Sequence, residues 1–295
     1  MTNQPHRHSF TTCKICDGPL KNNVGVTADG LPLTKCLNCG LLFVSEVPDI
    51  VDNYADFNLE WYYNELAGDK SKFTYGLDLM RSWLKTTGRK LENQKILDVG
   101  CGDGYFLSLC LDLGMTAYGL DISPEVASYA ERRGLKVFSD LKEIKDTFDI
   151  ITLFDVLEHM TDPLQELSQL TQLLNDKGII FIETPRKCLA DFYLSILELF
   201  GIASNNRVSK EHLQLFTDKS LRILINRTML NSIYSKNKTS LSWGVSAGLN
   251  QYISNIGIKS KPLNKLFANL VRIFLKANAF GKNKAIILAT NTAAH

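Results

Sequence analysis

The stretch Lys95–Leu107, KILDVGCGDGYFL, packs three glycines, two aspartates and a run of aliphatic residues into thirteen positions. KILDVG reads as a buried strand, and DGYFLSLCLDLG as a helix that Gly114 stops. A glycine-rich turn between a strand and a helix commonly cradles an anion, because backbone N–H groups at the helix start point at it. The particulars here exclude phosphate. A dinucleotide fingerprint, G-x-G-x-x-G, would need glycine at position 105, where Tyr105 stands, and no lysine follows in P-loop spacing. Asp98 and Asp103 flank the glycines, and like charges repel. A ligand whose nearby groups are amino or hydroxyl suits them better.

Outward from this loop the pattern alternates. TAYGLD is a second strand, followed by SPEVASYAERRG, a helix with a Ser cap, Pro in its first turn and Gly at its end. KVFSD and FDIITLFD are the third and fourth strands, TDP opens another helix, and KGIIFIETP is the fifth strand. Strands alternating with helices predict an α/β fold, a Rossmann-like, doubly wound and mostly parallel sheet. Beyond Pro185 the pattern loosens: residues 186–217 read as helical and loop-like, and DKSLRILINRT as a helix. MLNSIYSKN and KNKAIILATN read as an antiparallel addition at one sheet edge, with residues 239–281 inserted between them. The predicted division is a ribbon over 1–45, a helical linker and cap over 46–94, and the main domain over 95–295.

In open α/β sheets a ligand sits beyond the carboxyl ends of the strands, at the switch point. Gly100, Gly102 and Gly104 occupy that place. Asp121 ends the second strand, seventeen residues past Gly104, where a carboxylate can accept both hydroxyls of a ribose. Ser139 and Asp140 end the third strand, within reach of an adenine edge. A ribose, an adenine and a cationic or amino-bearing tail together describe S-adenosylmethionine (SAM).

At this point residues 95–185 resemble the class I SAM-dependent methyltransferases, with LDVGCGDG, YGLDISPE, FDIITLFDVLEHMTDP and GIIFIETP all in order. The resemblance implies that Asp98 and the Gly100-Cys101-Gly102 loop border the methionyl end of SAM. It implies ribose at Asp121, adenine near Ile122, Asp140 and Leu141, and Phe154 lining the site.

Of seven cysteines, four form CKIC and CLNC: Cys13, Cys16, Cys36 and Cys39, with nineteen residues between the pairs. That spacing predicts a four-thiolate zinc site, closed and therefore structural. Disulfides compete, but an intracellular setting disfavours them. His6 and His8 read as surface near a terminus. Nothing beside Cys101, Cys110 or Cys188 activates a thiolate, so they read as small buried hydrophobes. The ribbon, CGLLFV and a Tyr-rich segment are similar to the N-termini of bacterial methyltransferases that modify sugars. Sugar C-methyltransferases carry a further large C-terminal domain that this chain is too short to hold, which favours O- or N-methylation of a glycan or small metabolite.

With 45% hydrophobic and 22% charged residues the composition is that of an ordinary globular protein. MTNQPHRHSF has no apolar signal region, and no apolar stretch is long enough to span a membrane, so the expected location is cytoplasmic. The charge is uneven. No Asp or Glu follows Asp218, while residues 219–295 carry twelve Lys and Arg, leaving 21 basic against 31 acidic side chains before them. In PLNKLFANLVRIFLKANAF an apolar face of Leu263, Leu266, Phe267, Leu270 and Phe274 opposes Lys265, Arg272 and Lys276. Such a face would draw in a phosphate-bearing acceptor or lie against an anionic membrane surface; otherwise it is solvated surface.

Methyl transfer to a hydroxyl benefits from a base, and only His159 and His212 lie away from the termini. A structural histidine is the alternative for each. DVLEH admits another use, since similar methyltransferases of ubiquinone synthesis hold a divalent ion with E-x-x-E-H. Asp155, Glu158 and His159 stand at those places and would take magnesium. The resulting expectation is a SAM-dependent O-methyltransferase acting on a sugar or polysaccharide precursor. The alternatives are a quinone, phenol or other small-metabolite methyltransferase, a catalytically silent scaffold, and a nucleic-acid-binding protein. The ribbon argues against nucleic acid, since CKICDGPL and CLNCG hold only one lysine and no aromatic cluster.

Overall fold

The computed structural model describes residues 8–27, 30–47, 70–187, 212–238 and 284–291. Of the expectations above, His6, Cys188, the 239–281 insertion and the basic face of Lys265, Arg272 and Lys276 lie outside the described residues. Among the described residues no helix is long and apolar enough to cross a membrane.

The N-terminal part is a small antiparallel unit. β1 (His8–Ser9) pairs with β5 (Glu46–Val47), and β2 (Leu20–Val26), β3 (Pro32–Cys36) and β4 (Leu42–Val44) form a meander. The chain continues through α1 (Ser71–Thr86), β6 (Lys95–Val99), α2 (Tyr105–Asp112), β7 (Thr116–Leu120), α3 (Pro124–Arg132) and β8 (Val137–Phe138). It then forms β9 (Phe148–Phe154), α4 (Pro163–Thr171), β10 (Leu174–Pro185), β11 (Gln214–Leu215), α5 (Asp218–Arg227), β12 (Asn231–Lys238) and β13 (Lys284–Thr290).

Seven strands make one sheet in the order β12-β13-β10-β9-β6-β7-β8. The five from β10 to β8 are parallel, while β13 runs antiparallel to β10 and β12 antiparallel to β13. This is the predicted sheet with its predicted edge. The order reverses at β6, between β7 and β9, which puts the glycine loop at the switch point.

The strands are continuous apolar runs because both faces are covered. Alternate residues divide between two cores. Ile96, Ile150, Ile179, Phe181, Ile286 and Leu288 face α1 and α2, packing on Leu77, Met80, Leu84, Phe106 and Leu107. Leu97, Ile151, Leu153, Ile180, Ile182 and Ile287 face α4 and α5, packing with Leu167, Leu170, Leu221 and Leu224. Cys13, Ile15, Cys36, Cys39, Leu41 and Phe43 belong to that second core, so the ribbon packs onto the main domain instead of standing apart. Each fully buried Leu, Ile or Phe in these layers contributes about 1.5–3 kcal/mol.

Helix starts follow their sequence signals with one exception. Asp162 caps α4 through Gln165 N, and Thr217 and Ser220 form a reciprocal capping box on α5. Ser123 holds the cap position of α3, ahead of Pro124, but its hydroxyl bonds Glu125 Oε2 and caps nothing.

Candidate active site

The loop after β6 is held by the end of β7. Gly100 N and Cys101 N donate to Leu120 O at 2.7 and 3.3 Å, and Gly102 N donates to Asp121 Oδ2 at 2.9 Å. Asp121 Oδ1 accepts from Ser123 N at 3.0 Å, so one carboxylate ties the loop to the following turn. Gly100 has φ +67°, and a Cβ there would lie 2.5 Å from Val156 Cγ2. Only glycine lets this loop pass the turn that follows β9. Asp98, 3% exposed, accepts from Thr152 Oγ1 at 2.6 Å. Burial pushes its carboxyl up to about 7 against the pull of that hydrogen bond, and burial also raises Asp121. Two poorly solvated carboxyls beside a cradle without side chains suit a cationic ligand. The residues present therefore fit the sulfonium of SAM.

The other predicted cofactor residues divide. Ile122 is 54% exposed beside Asp121, an apolar surface where adenine is expected. Asp140 caps the turn Leu141–Glu143 by accepting from Lys142 N at 2.9 Å; β8 has already ended at Phe138. Cys101 is buried over Gly119, where a Cβ would come within 2.4 Å of its sulfur, and burial pushes its thiol up. Its side chain is core, as expected of an unactivated thiol. Phe154 requires a correction. Its ring is 6% exposed and packed against Phe73, Phe106 and Phe181 at 4.9, 4.9 and 4.8 Å, because Gly76 lets α1 cross directly over it. It supports the site from within the core and does not line an opening.

On the other side of Val156, the turn Leu157–His159 carries Glu158, which is fully buried. Glu158 Oε2 accepts from Thr184 Oγ1 at 2.9 Å, while Oε1 has no hydrogen-bond partner among the described residues. His212 Nε2 lies 4.0 Å from that oxygen, and the His212 ring meets His159 edge-on with centroids 4.9 Å apart. The two histidines that the sequence offers separately thus form one group. Burial, with His159 and then Lys284 adding to it, pulls His212 down to about 3, which keeps its imidazole neutral.

Asp155 is engaged elsewhere. Its backbone takes φ +59°, and its two carboxylate oxygens receive Lys72 Nζ at 3.0 Å and Lys284 Nζ. Burial alone would raise this carboxyl; Lys284 and then Lys72 hold it below the ordinary carboxylate range. The expected magnesium set of Asp155, Glu158 and His159 does not fit, since two ammonium groups saturate its first member. The donors that do converge are Glu158, His159 and His212, within 4.8 Å of one another. One carboxylate and two imidazoles form a nitrogen-rich set, unlike the oxygen shell magnesium takes.

The four ribbon cysteines also converge. Cys13 Sγ lies 3.6 Å from Cys39 Sγ, Cys16 Sγ lies 3.4 Å from Cys36 Sγ, and all four sulfurs fall within 4.8 Å of one another. Zinc–sulfur bonds of about 2.3 Å in a tetrahedron put sulfurs about 3.8 Å apart. Cys39 N and Asn38 Nδ2 donate to Cys36 Sγ and Cys16 Sγ at 3.3 and 3.6 Å, as they would to thiolates. The donor set fits a structural zinc.

Sequence reasoning missed Lys72, Lys284, Thr152 and Gln214. Thr152 left a trace, a hydroxyl inside the apolar run FDIITLF, and so did Lys284, a cation heading the buried strand KAIILAT. Lys72 and Gln214 left none.

A family model described as "Methyltransferase domain" matches residues 40–231. The chain belongs to that family and carries a class I SAM-dependent methyltransferase domain. Among curated relatives, the "Ubiquinone biosynthesis O-methyltransferase" of Actinobacillus pleuropneumoniae serotype 5b is 29% identical over 134 residues, 40% of this chain and 57% of that protein. The protein of the same name from Xanthomonas euvesicatoria pv. vesicatoria is 26% identical over 158 residues, 50% of this chain and 65% of that protein. The chain thus spans little more than half the length of the curated relatives it matches. The solved structure of magnesium protoporphyrin IX methyltransferase from Synechocystis PCC 6803 with bound SAH is similar with a TM-score of 0.52 at 16% identity. That likeness covers 82% of this chain and 99% of the other, and it speaks for the fold alone.

Proposed function

We propose that this protein transfers a methyl group from SAM to a phenolic hydroxyl of a small aromatic acceptor. When bound, SAM supplies an electrophilic methyl group on a sulfonium. In this reading Asp98, the main chain of Gly100 and Cys101, and Gly102 hold its methionyl end. Asp121 accepts the ribose hydroxyls, and Ile122, Asp140 and Leu141 border the adenine.

The observation that carries the acceptor side is the buried, unpaired Glu158 Oε1 facing His212, with His159 against it. The acceptor hydroxyl would give its proton to the imidazole pair as its oxygen bonds the methyl carbon, while the methyl carbon–sulfur bond breaks, its electron pair passes to sulfur and neutral S-adenosylhomocysteine is left to depart. Glu158 would then steady the imidazolium that results. A neutral imidazole held low by burial is a weak base. Such a base removes a proton far more readily from a phenol, whose pKa is about 10, than from a sugar alcohol, which is much less acidic. The sugar acceptor rested on the likeness of the ribbon; the relatives named for ubiquinone O-methylation support the phenol instead.

The test is a transfer assay with methyl-labelled SAM against matched panels of catechols, simple phenols and nucleotide sugars. Label is expected in a phenyl methyl ether. Label confined to the sugars would overturn the reading.

A further inference from the structure

The ribbon's sheet has four strands, in the order β11-β4-β3-β2, and the fourth comes from the far side of the sequence. Gln214 pairs opposite Phe43 and Leu215 opposite Leu42, while Val44 N donates to Leu213 O at 2.9 Å. His212 stands two residues ahead of Gln214, where this strand begins. Gln214 is fully buried, and its Nε2 donates to Leu157 O at 2.6 Å and Met160 O at 2.8 Å. Those carbonyls bracket Glu158 and His159. Leu213 N donates to Glu158 O at 2.9 Å. All three members of the acceptor group therefore hang on a strand whose own partner is β4.

The cysteine turns are fastened to the same region. Thr217 Oγ1 donates to Cys39 O at 2.7 Å, and Arg227 Nη1 to Ile15 O at 2.8 Å. Lys14, 6% exposed between Cys13 and Cys16, donates to Thr161 O at 3.0 Å, just past His159. A buried ammonium is held this way only while the turn that carries it keeps its shape.

We propose that the metal-holding ribbon is a positioning device for the acceptor side of the active site. Gln214 is the positioning residue that carries order from β4 to the Leu157–Met160 turn. The catalytic half of this inference rests on the function proposed above, whereas the mechanical half stands on the contacts alone.

The test uses the full chain. Zinc is withdrawn with a chelator while amide exchange, histidine ring resonances and SAM affinity are followed. Val44 and Leu213 amides should lose protection by about tenfold or more, and the His159 and His212 ring signals should shift. Gly102 and Ser123 should stay protected, with SAM affinity changed by less than about twofold. Holo-like exchange at Leu213 would overturn the proposal. Should withdrawal unfold the whole chain, Gln214→Leu decides, since it leaves the thiols untouched. With its zinc retained, this variant should shift both ring signals and lower kcat for 3,4-dihydroxybenzoate by about tenfold, without moving KM for SAM. Ring signals at their wild-type positions would overturn the proposal. Shifted signals with wild-type turnover would uphold the coupling and instead refute the catalytic reading of the histidine pair.

Discussion

Replacing Asp121 by Asn separates what this carboxylate does for the protein from what it would do for a ligand. Its two oxygens accept from Gly102 N at 2.9 Å and Ser123 N at 3.0 Å. The amide keeps one acceptor and turns an NH2 toward the other N–H, whichever way it is oriented. In the free protein this loss is offset, because burial already disfavours the charged carboxylate and a neutral amide is easier to bury. The unfolding free energy should therefore change by no more than about 1 kcal/mol. With SAM the offset vanishes. A charge-assisted hydrogen bond contributes about 1.5–3 kcal/mol, and two ribose bonds to one carboxylate are not additive, so a loss of about 2–3 kcal/mol is expected. That corresponds to an increase in Kd of about 30- to 150-fold. Calorimetry with SAM gives the affinity, and urea unfolding of the ligand-free protein gives the stability. An affinity within about threefold of wild type would refute the ribose assignment. So would an affinity loss matched by an equal loss of stability, since that would mark Asp121 as a loop brace only.

Elemental analysis of protein purified without chelator should find one zinc per chain; absence of zinc, with Cys13, Cys16, Cys36 and Cys39 paired as disulfides, would sink the ribbon reading. Burial pushes the Asp98 carboxyl up to about 7 in the free protein, and a cation favours its ionised form. SAM affinity should therefore be full above that pH and fall by up to about tenfold per unit below it; a flat calorimetric profile down to about pH 5.5 contradicts this. Gly100→Ala forces a Cβ onto Val156 at a positive φ and should destabilise the fold by about 2–4 kcal/mol in urea unfolding. An unchanged midpoint would mean the loop lies elsewhere. His212→Ala should cut kcat with a phenolic acceptor by about a hundredfold or more while SAM binding holds; a loss confined to KM would demote His212 to a substrate contact.

What was legible in the sequence was local. The five parallel strands show as apolar runs bounded by Gly and Pro, and their parallel pairing follows from the α/β alternation. The helix over Asp218–Arg227 and the two edge strands also announce themselves through periodicity and a cap. The glycine loop is readable because a positive φ selects a residue type whatever surrounds it. The misses are long-range. β11 is two residues long, too short for any period, and exists because β4 offers it an edge. Phe154 reads as a pocket wall until α1 is seen to cross it at Gly76. Lys284 and Asp155 lie 129 residues apart, and no spacing rule joins them. Three of the basic residues after Asp218 are likewise engaged at long range: Lys219 and Arg227 bond Asn38 O and Ile15 O on the ribbon, and Lys284 is buried on Asp155. Part of that charge is internal complement to an acidic body.

The same contacts bear on how the acceptor group keeps its charge. Asp155 and Glu158 bring two carboxyls to the end of β9, and Lys72 and Lys284 bring two ammonium groups, one from each side. Burial by itself would neutralise Asp155, Glu158 and Lys284, yet Lys284 and then Lys72 hold Asp155 below its ordinary value. Asp155 and then Glu158 hold Lys284 above its own, while burial and Asp155 together keep Glu158 raised. The region therefore supplies its own positive charge beside its carboxyls. A buried pair of this kind contributes little net stability when intact, but removing one partner strands the other at a cost of about 3–5 kcal/mol. Such an arrangement holds its geometry strictly and tolerates little change. With Asp155 pinned between α1 and β13, Glu158 takes its bond from Thr184 and leaves Oε1 toward His212. The polarity left over at this end of the sheet faces the two histidines, where the proposed reaction would have an acceptor hydroxyl lose its proton.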